Sequence, residues 1–180
     1  MRRTRIGKFA ALTLVLALGL SGTAFAGNPA TISVTVTIQN LSVSATGPIA
    51  FGTVVAGSQT VSGSGSTVTN DGNVTETYSL NLTNPASWTA VQAAPSAAEE
   101  YALLAQFNAS APTAASFTYS NYALSTSSVA CSATKFAGDQ TGLSVSTSAT
   151  RSLWFRFNAP TSTAVTSQQT ITVTITAAAG

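Results

Sequence analysis

Apolar and polar side chains alternate at every second position along most of the chain, a period that predicts β-strands rather than helices. The alternation is strictest at residues 31–38, where an aliphatic face stands opposite a hydroxyl face. At Leu41 and Val43 the apolar side chains change from even-numbered to odd-numbered positions. Such a shift by one residue indicates a bulge or a strand that passes between sheets. The predicted strands are 31–38, 49–55, 74–82, 88–91, 101–107, 117–124, 129–136, 153–157 and 169–176.

Turn signals recur every 8–12 residues between these runs, a spacing that is typical of antiparallel β-sandwiches. The sequence therefore predicts an all-β fold, with one sandwich of about eight to ten strands over residues 31–180 and a short leader at residues 27–30. A short helix over residues 97–104 is an alternative for part of the middle, because Ala and Glu favour helices.

The first 26 residues have the pattern of a secretory signal peptide. Four basic residues lie within the first eight positions, an apolar run follows at residues 9–20, and Ala24-Phe25-Ala26 forms a small-x-small cleavage site. The apolar run is shorter than the roughly 20 residues that a membrane span needs. We expect a bacterial protein exported to the cell surface or beyond, with no membrane insertion after cleavage.

Cleavage after Ala26 reverses the sign of the net charge. The remaining 154 residues hold three basic and five acidic side chains, a net charge of −2, and about a third of them are Ser or Thr. No basic patch remains for nucleic acid or anionic lipid. A surface this weakly charged repels copies of itself only weakly.

The chain contains few side chains that could act in catalysis. There is no His and only one Cys, which removes the commonest general base and any thiolate metal cluster. Ser132 and Lys135 match an S-x-x-K motif, but on a strand they point to opposite faces. Glu99 and Glu100 diverge for the same reason, and the Asp71 loop lacks the Gly and Glu of a calcium-binding EF-hand. We expect no enzymatic activity, no metal and no cofactor.

Three further side chains have both a structural and a functional interpretation. Cys131 lies in an apolar alternation, which predicts a buried thiol, with an intermolecular disulfide as the alternative. Trp88 and Trp154 are expected in the core or at an interface, and the alternative is a platform on which sugars stack.

Two short motifs carry a family resemblance. Residues 49–57 are IAFGTVVAG and residues 70–73 are NDGN. Together they resemble the F-G-x-V-x-x-G … N-x-G-N signature of immunoglobulin-like sandwich domains of the sperm-protein/hydin-like type in bacterial surface proteins. The resemblance covers under a fifth of the chain. It implies an immunoglobulin-like sandwich in an extracellular or envelope setting, and it carries over no catalytic residue.

The two terminal strands have a further possible use. Either both pair within their own domain, or the first leaves it and completes the sheet of a neighbour by β-augmentation. The Thr residues that alternate with the apolar ones in both strands, at residues 31–37 and 170–176, have a third interpretation as a flat ice-binding face. The donated side chains would be Ile32, Val34, Val36 and Ile38, and the apolar face of the last strand consists of Ile171, Val173 and Ile175.

The sequence thus predicts an exported, non-enzymatic structural protein. Its expected role is that of a subunit in a fimbria-like surface filament or coat, with other copies of itself as partners and other envelope components as further candidates. Head-to-tail pairing of this kind generates an open filament. The alternative is a secreted module that binds glycan or another envelope component through Trp88 and Trp154.

Overall fold

The structure is a computed structural model that describes Gly27 and residues 30–180. The predicted signal peptide and most of the predicted leader lie outside the described residues. Ile38–Gly180 form one compact unit, to which residues 30–37 do not belong. The elements below all belong to Ile38–Gly180.

The compact unit is mainly β-structure, with nine strands among the described residues. The strands are β1 (Val43–Ala45), β2 (Gln59–Val61), β3 (Ser66–Asn70), β4 (Glu76–Thr83), β5 (Thr89–Ala90), β6 (Glu100–Phe107), β7 (Val129–Ala130), β8 (Thr150–Asn158) and β9 (Thr172–Ala179). A 3₁₀ helix at Ala114–Ser116 and one turn of α-helix, α1 (Tyr119–Tyr122), interrupt them.

The strands form two sheets. The larger sheet has the order β1-β3-β8-β6-β5, with β2 also paired to β8, and the smaller sheet has the order β7-β4-β9. Every ladder is antiparallel except that between β5 and β6, which is parallel. The predicted all-β class and the predicted number of strands are confirmed.

Alternation in β4 explains how the smaller sheet meets the larger one. Tyr78, Leu80 and Leu82 are at most 1% exposed, whereas the Thr, Ser and Asn between them are only partly buried. The buried face packs against β6 and β8 of the larger sheet, and the Tyr78 ring lies 6.2 Å from that of Phe107. The core is therefore the layer between two facing sheets, as in a β-sandwich.

The central strand β6 is buried on both faces. Its inner face joins the main core, and its outer face belongs to a second apolar cluster of Ala102, Leu104, Phe117 and Ala123. The segment that contains the 3₁₀ helix and α1 covers this outer face, so the predicted strand at residues 117–124 is wrong. The predicted helix at residues 97–104 is also wrong, since β6 occupies most of that range.

Arg156 on the outer face of β8 is only 5% exposed and has aromatic neighbours in place of a carboxylate. Its guanidinium lies 5.8 Å from the Phe117 ring centre and 5.2 Å from that of Tyr119, and it donates to the Ala114 carbonyl oxygen. Burial lowers the pKa of this side chain. These contacts fasten the covering segment to the larger sheet.

Two predicted strands carry no ladder. Residues 31–38 and 49–55 are assigned to no strand in the described part of the chain. Ile49, Phe51 and Val54 in the second of these segments still pack against the core, so these side chains are partly buried without backbone pairing. The predicted strand at residues 129–136 shortens to β7.

We expect Leu80→Ala to lower the free energy of unfolding by about 2–5 kcal/mol, because Leu80 is 0% exposed between the sheets and truncation leaves a cavity. Val55→Ala is the matched control. Val55 is 74% exposed, so its truncation should change stability by less than about 0.5 kcal/mol. Urea unfolding followed by tryptophan fluorescence measures both. Equal effects of the two substitutions would contradict the assignment of the core.

Candidate strand-pairing site

The segment at residues 31–38 exposes every apolar side chain that its alternation provides. Ile32, Val34, Val36 and Ile38 are 89%, 87%, 87% and 79% exposed, respectively. No ladder involves these residues in the described part of the chain. Burying one such side chain stabilises a protein by about 1.5–3 kcal/mol, so four on one face are a large unused source of binding energy. We call residues 31–38 the N-terminal segment.

The exit of the N-terminal segment from the compact unit is fixed by Asn73. Its side-chain oxygen accepts a hydrogen bond from the Asn40 backbone N–H, and its side-chain nitrogen donates to the Ile38 carbonyl oxygen, each at 2.8 Å. The Asn73 backbone N–H also donates to the Asn40 carbonyl oxygen, at 3.1 Å. One asparagine thus holds three backbone groups at the point where the exposed segment begins.

Glu76 and Asp71 extend this attachment into β1. The Ser42 backbone N–H donates to Glu76 Oε1 at 2.7 Å, and the Asp71 backbone N–H donates to the Ser42 carbonyl oxygen at 2.8 Å. Glu76 is 0% exposed, and its Oε2 has no hydrogen-bond partner among the described residues. The carboxylate therefore connects Ser42, the residue before β1, to β4 of the smaller sheet.

Gly72 is required by this arrangement, because a side chain there would collide with the attached segment. A Cβ at Gly72 would lie 2.6 Å from the Asn40 carbonyl oxygen and would also overlap Glu76 Oε1. The Asn70 side chain shapes the turn by accepting from the Gly72 backbone N–H and donating to the Val74 carbonyl oxygen, both at 2.8 Å. We call the bonds from residues 70–76 to residues 38–42 the exit clamp.

The exit clamp was not predicted from the sequence. The sequence shows Asn73 only as part of the NDGN motif. The bonds of the exit clamp join positions 29 to 35 residues apart, between segments whose mutual approach depends on the packing of both sheets. The NDGN motif itself was the signal in the sequence that could have indicated the exit clamp. Gly favours turns, and Asn side chains in turns bond to nearby backbone groups.

The predicted C-terminal strand lies at one edge of the smaller sheet. β9 pairs with β4 over eight residues, and Ile175 lies opposite Leu80. Its other edge has no strand partner among the described residues. Ile171, Val173 and Ile175 pack against the core but remain partly exposed, whereas Leu80 is fully buried. The core is therefore thinnest along this edge.

The two tryptophans lie on different faces of the larger sheet. Trp88 joins the main core and stacks on Phe157 at 6.0 Å, and its indole N–H donates to Thr163 Oγ1 at 3.2 Å. Trp154 packs with the second cluster, and its indole N–H donates to the Asn108 carbonyl oxygen at 2.9 Å. The two rings are partly buried, and they do not share one surface on which a sugar could stack.

The charged and hydroxyl groups considered as catalytic candidates bond to backbone or to loop side chains. Lys135 Nζ donates to the Ser120 carbonyl oxygen rather than to Ser132. The Glu99 carboxylate accepts from the Thr163 hydroxyl and the Ala164 N–H, and these two bonds lower its pKa, the former most. Glu100 accepts from the backbone N–H groups of residues 96 and 97. Each of these bonds holds a loop in place.

Within residues 30–180 and Gly27, no cluster of three metal-ligating side chains occurs. Among the same residues, no helix has the length and hydrophobicity to cross a membrane.

Comparisons with protein-family models, with curated proteins and with solved structures gave no match for this chain.

Cys131 is 3% exposed, and desolvation raises the pKa of its thiol to about 12 from 9.0. Folding therefore favours the neutral thiol, so stability is fully present below pH 9 and falls as the unfolded chain ionises above it. We expect the free energy of unfolding to drop by about 1.4 kcal/mol between pH 8 and 10 from this group.

Cys131→Ala should flatten that part of the profile, as measured by urea unfolding at each pH. Burial also raises the pKa of Tyr78, to about 12 from 10.0, so a decline beginning above pH 10 persists in the variant. Identical slopes between pH 8 and 10 in both proteins would contradict the buried thiol.

Proposed function

We propose that this protein is an exported, non-enzymatic structural subunit, and that its copies assemble into a surface filament or coat by β-strand pairing. The observation that carries the proposal is the N-terminal segment, whose four alternating apolar side chains are 79–89% exposed and outside any sheet. An exposed segment with this alternation has the side-chain pattern and the free backbone groups of a strand that adds to another sheet.

The energetics favour a second protein chain as the binding partner of the N-terminal segment. Full burial of four Val or Ile side chains contributes about 6–12 kcal/mol, from which the loss of translational freedom and the ordering of the segment are subtracted. The main-chain bonds of a new ladder add specificity in register. Apolar burial and the main-chain hydrogen bonds of the ladder are together the terms that offset these costs.

Charge supports contact between identical copies. Residues 27–70 and 157–180 contain no ionisable side chain, so neither the N-terminal segment nor β9 carries a like charge against the other. Only weak repulsion opposes the approach of two copies. A donor at one end and a recipient edge elsewhere on the same molecule form a head-to-tail contact, which propagates as a filament.

The finer fold proposal is an immunoglobulin-like sandwich of the sperm-protein/hydin-like type. In support, Phe51 of the F-G-x-V-x-x-G motif packs 5.5 Å from the Phe157 ring, and Gly52 has a φ of 65° that favours glycine. The two-sheet architecture agrees with it. A glycan-binding module through Trp88 and Trp154 is supported by no contact in the structure.

Export is part of the proposal, and expression of the full chain in a Gram-negative bacterium tests it. We expect the product outside the cytoplasm with a mass that begins at Gly27. Ala26→Lys should block this cleavage, because the site needs small residues, whereas Phe25→Leu at the tolerant middle position should not. A cytoplasmic product that retains residues 1–26 would contradict export.

Assembly is tested by replacing the apolar face of the N-terminal segment. In the chain that begins at Gly27, we expect filaments under negative stain, and we expect Val34→Thr/Val36→Thr to reduce the assembled fraction at least about tenfold, since two buried methyls become hydroxyls. Ser33→Thr/Thr35→Ser on the opposite face is the matched control and should assemble normally.

All three proteins should unfold at the same urea concentration when monomeric, because the altered residues precede the compact unit. A Gly27–Gly180 chain that stays monomeric at high concentration, or equal assembly of both double variants, would refute the proposed role.

A further inference from the structure

β9 is the longest unprotected strand edge in the described chain. It offers eight residues, whereas the other outer strands, β1, β2, β5 and β7, have three, three, two and two. Its sequence, TVTITAAA, contains no charge and no Pro, which are the usual devices that stop an edge from pairing. An edge of this length and composition is suited to receive another strand.

A second segment with unpaired backbone follows β1. No backbone group of residues 47–54 makes a hydrogen bond within the described chain. Ile49, Phe51 and Val54 pack against the core but stay partly exposed, as do the inward residues of β9. Pro48 has no N–H and Gly52 has a positive φ, so this segment cannot offer a regular ladder. A strand added at this side of the core would form its backbone hydrogen bonds with β9.

Two contacts place Ser42, the residue before β1, near the C-terminal end of β9. Ser42 donates to the carboxylate of Glu76, and Glu76 lies opposite Ala179 in the ladder between β4 and β9. β1 comes close to β9 here without pairing with it.

Other contacts place Phe51 at the opposite end of β9. Its ring lies 5.5 Å from that of Phe157, which lies 5.9 Å from Tyr101. The Tyr101 hydroxyl donates to the Asn84 side chain at 3.0 Å, and Asn84 follows the residue that pairs with Thr172. The chain from residue 42 to residue 51 therefore runs opposite to β9.

This direction distinguishes the chain's own N-terminal segment from that of another copy. To lie beside β9, residues 31–38 of the same chain would have to reverse direction within residues 38–42 and would run parallel to β9. That reversal would break the bonds of Asn73 to Ile38 and Asn40 in the exit clamp. The segment of a second copy has no such constraint, and it can form the antiparallel ladder, which is slightly more stable per residue.

We infer that the free edge of β9 receives the N-terminal segment of a second copy in antiparallel orientation, with Val34 opposite Ile175 and Val36 opposite Val173. This register also places Ile32 beside Ala177 and Ile38 beside Ile171, so all four donor side chains meet the four inward positions of β9. The incoming strand covers Phe51 and Val54 and completes the thin side of the core. The inference rests on the proposed function, because it names the recipient surface for the same donor.

Cysteine cross-linking between copies tests this register. In the antiparallel ladder Ser33 lies opposite Thr176, and in a parallel ladder it would lie opposite Thr172. Both Thr side chains are exposed on the hydroxyl face of β9, so either can be replaced without disturbing the core. Directly opposite residues have Cβ atoms about 4.5–5.5 Å apart, close to the separation in a disulfide.

We mix a Ser33→Cys protein with a Thr176→Cys protein, both beginning at Gly27 and carrying Cys131→Ala, let them assemble, and oxidise them. The expected product is a disulfide-linked dimer of the two, at least about tenfold more abundant than with Thr172→Cys as partner, since those positions are four residues apart along the strand. Each variant alone should form filaments.

The outcomes separate this inference from the proposed function. Filaments whose copies cross-link through Thr172→Cys, or through neither position, overturn the register and the recipient edge while assembly stands. A single chain carrying Ser33→Cys and Thr172→Cys that closes an internal disulfide as a monomer shows that the segment folds back on itself. Absence of filaments from every variant, with none from the unmodified chain, overturns the proposed function instead.

Discussion

Burial of one face of β4 against β6 and β8 is the constraint on which the rest of the molecule depends. Tyr78, Leu80 and Leu82 are fully buried there, and the aromatic rings of Phe107 and Phe157 fill the space from the other sheet. Since close packing leaves little freedom in how two such faces meet, it fixes the sheet order and the position of every edge. The remaining features are consequences of which strands lie inside that order and which lie outside it.

The two sheets are unequal, and the inequality creates the candidate site. The larger sheet has its outer face covered by the segment at residues 109–123, which Arg156 fastens through its contacts with aromatic rings. The smaller sheet has three strands, and β9 at its edge leaves Val173 and Ile175 only partly covered. Apolar area that a fourth strand would bury is thus concentrated along this edge.

In the proposed assembly, the exit clamp is the part of the compact unit that lies next to the exposed apolar segment. Asn73 bonds to the backbone of Ile38 and Asn40, and Glu76 bonds to the backbone of Ser42. Separating donor and recipient within one molecule is the condition for open, head-to-tail association. The Glu76 side chain is buried and its bond to the Ser42 N–H is partly shielded from water, which strengthens it, whereas the bonds of Asn73 lie at the surface.

The sequence by itself determined the all-β class and most of the long strands, because alternation with a period of two is a local property of neighbouring side chains. It also singled out Ile32, Val34, Val36 and Ile38 and the NDGN turn. Only the tertiary structure decided that residues 117–124 form a helical cover, that residues 49–55 pack without pairing, and that Asn73 clamps the exit. Whether an alternating segment finds a partner depends on which edges the packed sheets leave free, and that is set by contacts between residues far apart in the chain.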